Sequence, residues 1–195
     1  MAKLKKMKFR IGVLGTGAIG GLLAGLFCKE GYDVFCIARP ATVSKVKQQG
    51  LYIESSVFGN FVANPSIDEK LTVPLDILFI TLKYPFLNEA LENIDPKLVN
   101  NTIIIPLLNG VGHREIVRSH FGEHVAAGMI GMIEVVKKPD GVIQHLSKQK
   151  PHIDFASDSE IINESLKDIA VAISKTGISI SILKNESEVI WKKLV

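Results

Sequence analysis

The chain has 195 residues, 47% of them hydrophobic and 22% charged, with a formal net charge of +3, long enough to bury the core of one domain. Outside the N-terminal arm the charge is too small and too dispersed for a nucleic-acid surface, and no aromatic-basic stripe accompanies it. The five histidines and the two cysteines, Cys28 and Cys36, lack metal-ligand or C-x-x-C spacing, which reads as reduced thiols in a cytoplasmic protein without a metal centre.

Lys3, Lys5, Lys6, Lys8 and Arg10 precede an uncharged run from Ile11 to Cys28, an arrangement shared with signal peptides. Glycines at 12, 15, 17, 20, 21 and 25 interrupt the run where a phosphate loop wants them, and no small-x-small cleavage site follows. Neither export nor a membrane partner fits. Residues 9–14 read instead as a strand, and Gly15-Thr16-Gly17-Ala18-Ile19-Gly20 as a G-x-G-x-x-G turn. Ile19, Leu22, Leu23, Leu26 and Phe27 then form one face of a helix that Gly31 ends. In that order the first glycine permits a tight turn, the second admits a pyrophosphate, and the third lets helix and strand close on each other. The free N–H groups of the first helical turn hold the phosphates.

A strand over 33–39 is stopped by Pro40, a helix over 41–49 is closed by Gly50, and residues 51–63 suggest a hairpin around Phe58-Gly59-Asn60. Residues 76–81 and 102–106 are apolar strands flanking a helix over 86–94. Apolar strands bounded by helices predict a Rossmann-like, doubly wound, mostly parallel sheet with helices on both faces. Beyond Asn109-Gly110 the spacing predicts strands over 124–136, 142–146 and 152–156, with Pro139-Asp140-Gly141 turning between the first two. A helix over 160–175 presents Ile162, Leu166, Ile169, Ala170 and Ile173 on one face, and residues 178–182 alternate as a half-exposed strand.

The last residues begin a helix, with Asn185 and Glu188 in a capping arrangement and Val189, Ile190, Trp191, Leu194 and Val195 apolar, but nothing ends it. The expected organisation is one domain over 1–184 and, over 185–195, the start of a truncated second. An exposed Trp191 patch favours homo-oligomerisation. Arg39, nineteen residues after Gly20, stands where a dinucleotide site places the group that reads the adenosine ribose. A guanidinium there suits a 2′-phosphate, which predicts NADPH over NADH.

Taken together, Gly15 to Gly20, Ile37-Ala38-Arg39-Pro40, Thr81-Leu82-Lys83, Leu108-Asn109-Gly110-Val111-Gly112, Pro139-Asp140-Gly141-Val142-Ile143-Gln144-His145 and Trp191-Lys192-Lys193-Leu194 resemble, in order and spacing, the ketopantoate reductase (2-dehydropantoate 2-reductase) family. The resemblance covers the whole chain, although such enzymes continue past the W-x-K-L segment into a helical C-terminal domain. It implies NADPH-dependent reduction of ketopantoate to pantoate, on the way to pantothenate and coenzyme A. It further implies that Gly15, Thr16, Gly17, Ala18, Ile19 and Gly20 hold the pyrophosphate, that Arg39 holds the 2′-phosphate, and that Lys83 contacts the cofactor. Asn109 lies by nicotinamide and substrate in such enzymes, Glu134 falls in a region near the nicotinamide, and Lys193 matches the catalytic lysine. An ammonium of pKa ~10.4 is charged at neutral pH, so it can polarise the keto oxygen and then donate a proton. With one side of the cleft missing, the fragment is expected to bind NADPH weakly and turn over poorly. A reductase for another 2-keto acid and a non-catalytic NADP(H)-binding module are the alternatives.

Overall fold

Apolar, β-branched runs build the centre of the molecule. The structure, a computed structural model, describes residues 9–194, with side chains as far as Lys192. In chain order the first half contains β1 (Arg10–Leu14), α1 (Ala18–Lys29), β2 (Asp33–Ile37), α2 (Pro40–Gln49), β3 (Leu51–Ser55), β4 (Phe61–Ala63), β5 (Ser66–Asp68), β6 (Ile77–Ile80), α3 (Leu87–Leu91) and β7 (Ile103–Pro106). The second half contains α4 (His113–Phe121), β8 (Ala127–Ile130), β9 (Val135–Lys137), β10 (Ile143–His145), β11 (His152–Ala156), α5 (Glu160–Ser174), β12 (Ser179–Ile182) and α6 (Glu186–Leu194).

Five parallel strands in the order β5-β2-β1-β6-β7 form the main sheet, the doubly wound arrangement that the alternation of strands and helices predicts. Ile11, Val13, Ile77, Leu78, Phe79 and Ile80 are almost fully buried, as strands covered on both faces must be. An isolated parallel bridge, Ile104 with Val125, leads on to a second group of strands, β12-β11-β8.

A separate four-stranded sheet, β4-β3-β10-β9, lies on the other side of α1. Sequence periodicity assigns one apolar face to α1, but every residue from Gly20 to Phe27 is buried, because the helix is held between two sheets. Its glycines therefore have two uses. A Cβ at Gly21 would run into the Ile143 side chain, and one at Gly25 would lie 2.8 Å from Ile53 Cγ1. Gly12 likewise faces Leu75 and Leu78. Only the Gly15–Gly20 stretch belongs to the loop, and the other three glycines serve packing, which corrects their reading as phosphate-loop residues.

Three further differences from the sequence reading have simple causes. The expected strand over 124–136 is two strands in different sheets, β8 and β9, joined by a crossing segment around Gly131. The short edge strand β5 and the helix α4 were not anticipated. β5 has three residues, and α4 buries only Val117.

The last helix is capped as its sequence indicates: Asn185 Oδ1 accepts from the Glu188 N–H at 2.9 Å, and Glu188 Oε2 accepts from the Lys184 N–H at 3.0 Å. Helix α6 packs on β8 and β11, with Val189 buried and Trp191 65% exposed. Glu186, 1% exposed, receives Arg114 Nη1 at 2.5 Å and Arg118 Nη2 at 2.6 Å, which ties α6 to α4.

Candidate functional site

The carboxyl ends of β1, β2, β6 and β7 open onto one cleft of about 1300 Å3, larger than the ~300–1,000 Å3 typical of a drug-sized ligand and suited to an extended one. At its base, Gly15 turns the chain with φ +95, a left-handed value, and its N–H donates to the Ile37 carbonyl at 2.9 Å. The Thr81 hydroxyl donates to the Gly15 carbonyl at 2.6 Å and can also reach that of Leu14 at 3.2 Å, so the end of β6 fixes the loop. A Cβ at Gly20 would collide with the Gly15 carbonyl and the Thr81 hydroxyl, which makes glycine obligatory there. At Gly17, the N-cap of α1, a Cβ would meet nothing within 4 Å, so the outer side of the loop is open space. The first-turn N–H groups of α1 face no intrahelical acceptor, and Thr16 Oγ1 is buried without a hydrogen-bond partner among the described residues. An anionic group of a dinucleotide fits this cradle.

The cleft brings together Gly15, Thr16, Gly17, Ala18, Ile19, Arg39, Lys83 and Asn109. Gly20 stands behind them as the packing contact. Arg39 caps α2 and holds its guanidinium 5.8 Å from the centre of the Phe86 ring, a cation–π geometry at the mouth. Lys83 opens the turn after β6, and Asn109 is exposed on the loop after β7. Glu134 is exposed and stands outside the lining, although its neighbours Ile133 and Val135 belong to it. Lys193 belongs to α6, and its side chain lies outside the described residues.

Sequence reasoning missed Lys137 on β9. Its ammonium donates to the Thr16 carbonyl at 2.9 Å, across from the second sheet. Burial, then the charges of Lys45 and Arg39, hold it below the usual lysine range. No local signal marks Lys137, since it reaches the loop only because the chain crosses at Gly131 from one sheet to the other. Thr81 was legible in principle, as a hydroxyl two residues before Lys83 at a strand end.

At the opposite end, Asp154 is fully buried on β11 and its Oδ1 receives Lys192 Nζ at 2.9 Å and His152 Nε2 at 3.1 Å. All three line the cleft. Lys192, adjacent to the matched lysine, is thus already paired. Among the described residues no cluster of His, Cys, Asp and Glu could hold a metal ion, and no helix is long and apolar enough to cross a membrane.

A family model described as ketopantoate reductase PanE/ApbA matches residues 11–157. An uncharacterized oxidoreductase, YkpB, of Bacillus subtilis is 29% identical over 188 residues, covering 96% of this chain and 61% of that protein. The 2-dehydropantoate 2-reductase of Pyrococcus horikoshii is 26% identical over 191 residues, covering 95% of this chain and 60% of that one. The crystal structure of a PanE/ApbA family ketopantoate reductase from Ralstonia eutropha superposes with a TM-score of 0.82 at 21% identity, over 95% of this chain and 60% of that chain. The chain therefore spans about 60% of the length of the relatives it matches.

Proposed function

The chain belongs to the ketopantoate reductase PanE/ApbA family, and from that premise we propose that it forms the NADPH-binding part of a reductase converting 2-dehydropantoate to pantoate, a step toward pantothenate and coenzyme A. The observation that carries this reading is the convergence of the Gly15–Gly20 loop, Arg39, Lys83 and Asn109 on one cleft. We place the reaction in the cytoplasm, in keeping with two free thiols, Cys28 and Cys36.

In this reading the N–H groups of the loop and the first turn of α1 bind the pyrophosphate, and Arg39 binds the 2′-phosphate by charge-assisted hydrogen bonds. Lys83 steadies the cofactor from the turn after β6. When bound, the reduced nicotinamide supplies the hydride. Asn109 orients the substrate beside it, and its amide can donate to the keto oxygen. The Lys193 ammonium polarises that oxygen and protonates it as it becomes an alkoxide, combining electrostatic and general-acid work. Glu134, between the cleft-lining Ile133 and Val135, is assigned to the nicotinamide side.

Direct titration of this chain with NADPH and NADH, and NADPH oxidation against a panel of 2-keto acids by a protein extended to its relatives' full length, test the reading. Tighter binding of NADPH and fastest turnover of 2-dehydropantoate are expected. Equal affinity for the two cofactors overturns the cofactor assignment. A second reading, reduction of a different 2-keto acid, draws on the match to YkpB, whose name states an oxidoreductase and no substrate, and faster turnover of another panel member would install it. Binding without turnover of any substrate by the extended protein would favour a non-catalytic NADP(H) module.

A further inference from the structure

Arg39 and Lys137 both line the cleft, and Lys45, on the same side, stands close enough for its charge to act on Lys137. Arg39 leads into α2, Lys45 lies nearly two turns further along that helix, and Lys137 comes from β9 in the second sheet. Lys45 Nζ lies 3.3 Å from the Pro139 carbonyl, at the turn that follows Lys137 and Lys138, so α2 and the β9–β10 turn touch there. Lys137 Nζ reaches the Thr16 carbonyl, inside the glycine loop.

Among the described residues no carboxylate forms an ion pair with any of the three, although Glu69 and Glu89 line the same cleft. Nearby cations are treated differently: Lys47 pairs with Asp68 and Lys138 with Glu54. A neutral carbonyl is a poor partner for an ammonium that also faces two like charges, and a polyanion relieves all three at once.

We propose that Lys137, with Lys45, completes the site for the adenosine 2′-phosphate around Arg39, making the second sheet part of the cofactor site. This rests on the NADPH-binding reading above and adds a ligand to it. Lys137 exchanges the Thr16 carbonyl for phosphate oxygen, a doubly charged acceptor in place of a neutral one. The second sheet thereby contributes to the choice between NADPH and NADH, since only NADPH carries the group.

The test is equilibrium binding of NADPH, NADH and adenosine 2′,5′-bisphosphate to the 195-residue chain and to its Lys137→Gln, Lys137→Arg and Lys45→Gln variants, with circular dichroism to confirm folding. Lys137→Gln is expected to lose about 10- to 100-fold in affinity for NADPH and the bisphosphate while NADH binding changes little. Lys137→Arg should retain most of the affinity, and Lys45→Gln should show the same selectivity more weakly. An equal loss for NADH and NADPH, or no loss, overturns the proposal while the cofactor reading stands. If the unaltered chain binds neither NADPH nor the bisphosphate, the cofactor reading fails and the proposal fails with it.

Discussion

At the Arg39 end of the cleft, Arg39, Lys45 and Lys137 act on one another with no ion pair to a carboxylate among the described residues, whereas at the α6 end Lys192 rests on buried Asp154, and Glu186 just below it gathers two arginines. Both ends are rich in cations, yet in one the charge is already answered by the fold and in the other it is left for something else. An unanswered cation costs the folded chain some mutual repulsion and has value only when an anion arrives. An answered one holds elements together whether or not a ligand is present. The same residue types therefore do opposite work, and substitutions should separate them cleanly.

The largest effect is expected at Glu186. Glu186→Ala leaves Arg114 and Arg118 facing each other without their buried carboxylate, at a cost of about 3–5 kcal/mol, read as a lower midpoint in thermal or urea unfolding. Arg39→Asp should do the reverse, lowering NADPH affinity by about 10- to 100-fold and abolishing the preference over NADH with little change in melting temperature. Retention of an NADPH preference would break the contrast. Lys192→Met should cost about 1–2 kcal/mol of stability, because Asp154 keeps a buried charge while the lysine itself is half exposed. The double variant Asp154→Asn with Lys192→Met should recover part of that loss in a double-mutant cycle.

The smallest effect concerns a third kind of buried polar group, away from the cleft. His145, 3% exposed, accepts on Nδ1 the hydroxyl proton of Ser55 at 2.9 Å. Ser55 Oγ in turn takes the Val57 and Phe58 N–H groups at 3.2 and 3.1 Å, so its own proton is directed to the imidazole. Burial lowers the His145 pKa from its ordinary 6.5. The unfolded chain thus binds the proton more readily, and stability rises with pH through that interval. The contribution is complete above about pH 6.5 and is lost as the pH falls toward the folded-state value. His145→Gln should flatten the acid side of a melting-temperature profile, while Arg39→Asp leaves it unchanged.

The main sheet, apart from its three-residue edge strand β5, was legible because its strands are continuous apolar runs and its helices close on Gly31 and Gly50, whose signals are local. The glycine loop and Arg39 stood out for a related reason, each lying at the end of a strand whose position the alternation of elements fixes, whereas Lys83 and Asn109 entered only through the family resemblance. Lys137, Asp154 and Lys192 were not legible. Their meaning depends on pairings between β9 and β10, between β11 and β8, and on where α6 docks, all of which join residues distant in sequence. The crossing at Gly131 illustrates the difficulty: residues 124–136 read as one apolar strand, and nothing local indicates that the two halves leave for different sheets. Helix α4 was overlooked because seven of its nine residues are polar or aromatic and it buries only Val117.

Helix α1 has a consequence of its own. With a sheet on either side and Gly21 and Gly25 closing the gap to Ile143 and Ile53, its interior amides reach solvent only when both layers separate. Hydrogen exchange in residues 22–27 should proceed at the rate set by global opening, slower than in the exposed α2 or at the cleft mouth. The helix that begins at the ligand cradle is then also the slowest clock in the molecule, and its exchange rate reports the stability of the whole domain.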